Sequence, residues 1–343
     1  MPAFKDMPLS VLNLSPVNEG ETPGDSFKKS LELTQHAEKL GYNRLWVAEH
    51  HNMEGIASSA TSVLISYLAG GTSSIRLGSG GIMLPNHAPL AIAEQFGTLE
   101  SLYPGRIDLG LGRAPGTDQT TAAALRRHVN SGEDFPARLE ELQRYFQDPA
   151  SMAVPPQVKA VPGAGLDIPI WLLGSSGFSA QLAGQLGLPY AFAGHFAAEN
   201  MKAALQLYLD SFQPSEVLDE PYAMTGINVI AGETDEEADY LGTTMKQQFL
   251  SLIRNRPGKI QPPVEDMDAL WTSQEKAMMA RWEAGTIQGG PESVRQQLEE
   301  FSSNVPVHEI MISGSVYDQT KRLRSYELIK EVQKQSTATA ASL

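Results

Sequence analysis

Short runs of aliphatic and β-branched residues alternate along the whole chain with longer segments in which apolar positions recur every three or four residues. The first pattern is strand-like; the second is that of helices with one buried face. Strand-like runs fall at 9–14, 44–48, 75–82, 107–111, 170–173, 190–193, 223–230 and 308–312, and helical segments at 25–40, 58–69, 90–102, 138–146, 179–186, 199–212, 235–254 and 317–333. Local punctuation agrees with these bounds. Gly41 follows Leu40 as a left-handed cap would, Pro291-Glu292 stands where a helix would begin, and Asp235-Glu236-Glu237 places acids at a positive helix end. Regular β–α alternation is the mark of a parallel α/β sheet. Eight such units without a polar linker predict a single domain over 1–343, a (β/α)8 TIM barrel with insertions, rather than two doubly wound halves. Such a barrel needs about 250 residues. The surplus is assigned to two irregular stretches rich in Pro and Gly, 147–167 and 255–290, of which the second reads as a lid or substrate wall or else as a loose surface loop. Its Met267, Trp271, Met278, Met279 and Trp282 suit an apolar wall or a short helix packed on the barrel, and the tail 336–343 reads as frayed.

Charge narrows the partners. The formal net charge is −14 with acids and bases interleaved, which repels nucleic acid and anionic membranes alike, so neither is expected as a partner. There is no apolar run of membrane-spanning length, and the opening MPAFKDMPLS lacks the features of a signal peptide, so the expected location is cytoplasmic. With no cysteine, disulfides, thiolate catalysis and cysteine-bound metal are excluded.

In a parallel barrel the chemistry gathers where the strands end at their carboxyl edge. Four such ends carry suggestive residues: Glu49-His50-His51-Asn52, then Gly78-Ser79-Gly80-Gly81 running into Met83 to His87, then Gly110-Leu111-Gly112-Arg113, and last Gly174-Ser175-Ser176-Gly177. The last is a strand that breaks and restarts as a helix. A helix start offers unpaired N–H groups and a positive dipole end, and Ser175, Ser176 and Ser179 add hydroxyls, so the turn reads as an anion cup or as an ordinary serine cap. Arg113 is placed to pair with such an anion or to make a surface salt bridge. Glycines at 78 to 81 are costly at the end of a central strand unless something flat approaches the backbone. His50 and His51 point to opposite faces and cannot share one ion, and none of the seven histidines stands in a His-x-His pair, so no metal is assigned. Phe178 replaces the last glycine of a G-x-S-x-G elbow, which argues against a serine hydrolase, and Gly110-x-Gly112 lacks the spacing of a dinucleotide loop.

The stretches 45–51 (LWVAEHH), 77–85 (LGSGGIMLP), Ala93-Glu94-Gln95, 103–110 (YPGRIDLG), Gly112-Arg113 and the serine turn occur in order over almost the whole chain. Together they resemble the bacterial luciferase-like flavin monooxygenases, in the uncharacterised luciferase-like branch rather than the light-emitting enzymes. The resemblance implies a barrel that takes reduced FMN from a separate NAD(P)H:flavin reductase, adds O₂ at the flavin C4a position and oxygenates a small organic substrate through the hydroperoxide formed there. It further implies that His50 is the catalytic histidine and that Gly80-Gly81 forms a cis peptide beneath the flavin ring. Arg113, Ser176 and Ser179 match the phosphate ligands, with Arg138 as a second arginine; Gly174 and Ser175 belong to the same turn, Ser175 standing where the light-emitting enzymes carry an acid. A homodimer through the segments 58–69 and 90–102 is implied as well, with Ala57, Ala60, Ala69, Gly70, Ala91 and Ala93 small enough for close contact. Two other readings remain open at this point: an F420-dependent oxidoreductase on the same barrel, and a flavin-binding protein without catalysis.

Overall fold

Strand β1 (Leu9–Asn13) pairs in parallel with β2 (Arg44–Val47), and the ladder continues through β3 (Arg76–Ser79) to β5 (Ile107–Gly112), which also holds the two-residue strand β4 (Ile82–Met83). It then passes through β6 (Ile170–Gly174) and β7 (Tyr190–Phe192) to β8 (Ala223–Ala231). Strand β9 (Thr286–Gly289) adds to the last residues of β8 outside the ring, while β10 (Glu309–Ser313) pairs with both β8 and β1. The sheet therefore closes on itself as a (β/α)8 barrel, as the alternation predicts. This computed structural model describes residues 1–114, 116–127, 132–283 and 285–336.

Helices α1 (Pro23–Leu40), α2 (Thr61–Gly70), α3 (Pro89–Leu102), α4 (Gln119–Ala124) and α5 (Phe135–Phe146) follow the first strands. After them come α6 (Gly177–Gln185), α7 (Gly194–Ala197), α8 (Met201–Ser211), α9 (Asp235–Ile253), α10 (Ser273–Glu283), α11 (Pro291–Asn304) and α12 (Gln319–Gln335). Local chemistry sets several ends. Thr22 and Asp25 form a reciprocal capping box at the start of α1, Gly41 ends it with φ 75°, and Thr234 caps α9 by accepting from the Glu237 N–H.

The barrel's amino end is sealed by charge. Arg44 donates from Nε to Glu309 Oε1 (2.9 Å) and from Nη1 to Asp108 Oδ2 (2.7 Å), Arg76 pairs with Asp108, and Tyr222 Oη donates to Glu309 at 2.9 Å. Both acids are fully buried, and losing Arg44, which pairs with both, would leave buried charge uncompensated at a cost of about 3–5 kcal/mol. Above this floor Trp46 and Trp171 meet edge to face at 5.2 Å and pack with Leu12, Met224 and Met311. This apolar plug leaves only the carboxyl end of the barrel open.

The structure corrects three expectations and qualifies a fourth. The strand read at 75–82 is two: β3 ends at Ser79, β4 begins at Ile82 and pairs with β5 alone, and the Gly80-Gly81 peptide between them is cis. The segment 255–290 is irregular only in its first half: 255–272 carries no helix or strand, but α10 and β9 follow, the latter too short to stand out by its pattern. Of the small residues read as a helix contact surface, Ala69 and Ala93 are buried inside the chain, while Ala60 and Gly70 at the ends of α2 are exposed, beside Val63 (70 % exposed) and Tyr67 (45 %) on its outward face. Ser336 is held by its N–H to the Val332 carbonyl and by its hydroxyl to Glu299, while 337–343 lie outside the described residues. The stretch 147–167 has no helix or strand, as read.

Candidate active site

Strand β6 ends at Gly174, and the chain turns through Ser175 and Ser176 into α6. Ser176 occupies the N-cap with extended backbone, yet its side chain makes no cap hydrogen bond, unlike Thr22, Asp118, Thr234 and Asp318 at other helix starts. The serine hydroxyl is thus not occupied in finishing its own helix. Ser179 folds back so closely that a Cβ on Gly174 would lie 2.8 Å from its own Cβ, which explains the glycine. Opposite the turn, the Arg113 guanidinium lies 4.2 Å from the centroid of the Phe178 ring. Arg113, the three serines and the start of α6 line one cavity, which is chemistry suited to a phosphate monoester.

At the end of β2 the chain delivers Glu49, 1 % exposed, into a four-donor cluster. Its carboxylate accepts from His51 Nε2 (2.9 Å), His87 Nε2 (3.0 Å), Asn86 Nδ2 (3.0 Å) and the Met83 N–H (2.9 Å). Burial works to raise the pKa of this carboxyl, but the bonds from His87, His51 and Asn86 outweigh it and hold the group below its ordinary value. Glu49 therefore ties the β2 end to the segment that follows Gly80-Gly81. His51 is consumed by this cluster; His50, the next residue back, is not. Its Nδ1 is buried without a hydrogen-bond partner, and burial draws its pKa below the usual histidine value against the pull of Glu49.

His195, just beyond β7, faces the same space. Burial and the neighbouring His50 lower its pKa to about 4, and its Nδ1 also has no partner. Sequence reasoning missed it, although a histidine immediately after a strand end met the rule that singled out His50. The cluster around Glu49 was also missed, because its members lie on separate strand ends.

One cavity of about 440 Å³ gathers His50, Gly80, Gly81, Arg113, Gly174, Ser175, Ser176 and Ser179 with His195. Trp46, Met224 and Met311 form its floor. A Cβ on Gly81 would lie 2.8 Å from the Gly110 carbonyl oxygen, so only glycine lets the chain between β3 and β4 lie so close to β5. Arg138 does not join this group: it donates to Asp134 (2.7 Å) and to the His87 carbonyl (3.2 Å). Of the five apolar residues picked out in 255–290, Trp282 alone lines a chamber beside this cavity; Met279 is buried and Met278 exposed, and Met267 and Trp271 line a separate hollow. Among the described residues no group of three or more His, Cys, Asp or Glu is arranged to hold a metal ion, and no helix is long and apolar enough to cross a membrane.

A family model described as luciferase-like monooxygenase matches residues 7–308. The uncharacterised protein YvbT of Bacillus subtilis is 59 % identical over 96 % of this chain and 98 % of its own. A luciferase-like monooxygenase of Escherichia coli is 49 % identical with the same coverage, 96 % and 98 %. Among solved structures, apo-MsnO8 superposes with a TM-score of 0.84 at 35 % identity, covering 96 % of this chain and 99 % of that one. Two others share the fold alone. The oxygenating constituent of a Pseudomonas putida 3,6-diketocamphane monooxygenase, in complex with FMN, has a TM-score of 0.71 at 15 % identity over 95 % and 97 % of the two chains. An F420-dependent secondary alcohol dehydrogenase has 0.71 at 14 % over 96 % and 99 %.

Proposed function

Since this chain belongs to the luciferase-like monooxygenase family, we propose that it uses reduced FMN and O₂ to oxygenate a small organic substrate, taking its FMN from an NAD(P)H:flavin reductase. The observation that carries the reading is the single cavity in which an arginine and three serines face a backbone of glycines and an unpartnered histidine. The donor set fits FMN. Arg113 and the hydroxyls of Ser175, Ser176 and Ser179, with the N–H groups at the start of α6, suit the phosphate. The Gly80-Gly81 backbone, free of side chains, suits a flat ring, while Trp46, Met224 and Met311 exclude water from below.

When bound, reduced FMN supplies the electrons that O₂ requires. His50 is the catalytic group in this reading. Burial keeps it neutral near pH 7, so its unpartnered Nδ1 can hold or pass a proton at the reacting face. Glu49 acts as a positioning residue, fixing the Met83 N–H and with it the glycine segment. Arg138 anchors the His87 carbonyl, and through His87 it supports the same cluster.

Anaerobic titration with reduced FMN and with reduced F420, followed by stopped-flow mixing with O₂, tests the assignment. Tight FMN binding with oxygen consumed in step with substrate oxygenation is expected. Preference for F420 with no oxygen uptake would replace it by the hydride-transfer reading, and hydrogen peroxide release with every organic substrate would replace it by flavin storage.

A further inference from the structure

Beside the flavin cavity lies a second chamber of about 330 Å³, and Leu12, Leu14, Ile56 and His195 line both. Its walls are largely apolar. Met245 and Phe249 come from α9, Ile260 from the following loop, and Trp282 from α10, where the indole stacks on Phe249 at 4.7 Å. Into this chamber α12 brings Arg322, only 4 % exposed.

Arg322 differs from the other deeply buried arginine. Arg44 has Glu309 and Asp108 as counter-ions, whereas among the described residues no carboxylate lies within ion-pair distance of Arg322. Its Nη2 donates to Asn13 Oδ1 at 3.1 Å, and its Nε is buried with no partner. The Asn13 amide nitrogen is also buried and unpartnered, so two neighbouring groups hold unused donors. Gln248, Ser313 and Ser315 line the chamber too and add polar character to it. A buried guanidinium without a counter-ion is expensive unless a ligand supplies the negative charge.

We propose that the second chamber binds the acid group of a small organic carboxylate, with Arg322 as its counter-ion and the Phe249 and Trp282 wall against its hydrocarbon part. One cation matches a monoanion, and a planar guanidinium matches a carboxylate in shape; a dianionic phosphate would bring a second charge that nothing nearby balances. That this ligand is the substrate rests on the flavin reading, because the shared wall at Leu12 and His195 places it next to the proposed ring site. The anion site itself does not depend on that reading.

The test is calorimetric titration of the protein with octanoate and with octanamide, which has the same chain and no charge. Octanoate is expected to bind about tenfold tighter or more. Arg322→Gln should abolish that preference and Arg322→Lys retain part of it, with FMN affinity, followed separately by quenching of flavin fluorescence, unchanged in both. Equal affinity for the two probes, no binding of octanoate, or a preference that survives in Arg322→Gln would overturn the proposal. The wild-type comparison needs no variant, so a poorly folding Arg322→Gln cannot hide a negative result. A preserved octanoate preference in a protein that fails to bind FMN would support the anion site and strike the flavin reading alone.

Discussion

The guanidinium of Arg113, just past β5, lies 4.2 Å from the ring of Phe178 on α6, and this contact holds the arginine across from the serine turn. Arg113→Met should weaken FMN binding by about tenfold or more, ~1.4 kcal/mol, by removing a charge-assisted contact. Ser176→Glu should do at least as much by placing a like charge at the phosphate. Phe178→Ala should have a smaller effect, because the cation remains and only its support is lost. Flavin fluorescence titration ranks the three; an unchanged affinity in Arg113→Met would remove the phosphate from this turn.

His50→Asn separates binding from chemistry. The variant keeps a polar side chain of similar reach but cannot serve as a base, so FMN affinity should stay within about threefold while oxygenation falls by roughly 10²–10⁴. Equilibrium titration and single-turnover oxygenation read the two effects. Full turnover in the variant would move the proton-handling role elsewhere, with His195 the nearest candidate.

His195 gives the fold a pH dependence whose sign is fixed. Folded, its pKa is about 4; unfolded, it returns to about 6.5. Between those values the unfolded chain binds a proton that the folded chain refuses, so stability rises with pH across this window and is fully present above about 6.5. The contribution is at most on the order of 3 kcal/mol. Urea melts at pH 4.5, 5.5 and 7 should show this slope, and His195→Asn should flatten it; the same slope in the variant would assign it to other groups.

Val63 and Tyr67 stand one turn apart on α2 and point outward, 70 % and 45 % exposed. Two apolar side chains on one helix face suit a second copy of the chain, so a homodimer is expected in solution. Light scattering after size exclusion should give a mass near twice that of one chain, and Val63→Asp with Tyr67→Asp should halve it. A wild-type monomer at micromolar concentration would dispose of the dimer.

Residues 255–290 contribute Pro257, Gly258, Ile260 and Trp282 to the second chamber. Ile260 is already pinned, its N–H donating to the Val17 carbonyl at 2.9 Å, whereas Leu270 and Met278 are exposed. If this segment closes over the site, limited proteolysis within it should slow when FMN is bound. Equal cutting rates with and without FMN would leave it as a fixed wall.

The barrel was legible because its signals are local: strand runs, helical periods, capping residues and their order all lie within a few residues of one another. The serine turn and Arg113 were legible as candidates for the same reason. Arg138 matched a motif position, yet its side chain is turned to Asp134 and the His87 carbonyl, which no spacing could foretell. The split strand at Gly80-Gly81 and the short β9 escaped because a break in a ladder or an added strand depends on which neighbour is present to pair.

By itself the sequence determined the fold class, the family resemblance and the strand ends that carry the candidate site, since each follows from residue order and nearest-neighbour physics. Tertiary structure alone decided which charged groups have partners. Glu49 meets His87 across 38 residues, and Arg322 meets Asn13 across 309, so whether a carboxylate is satisfied or a guanidinium left without a counter-ion is settled only when distant segments share one low-dielectric interior.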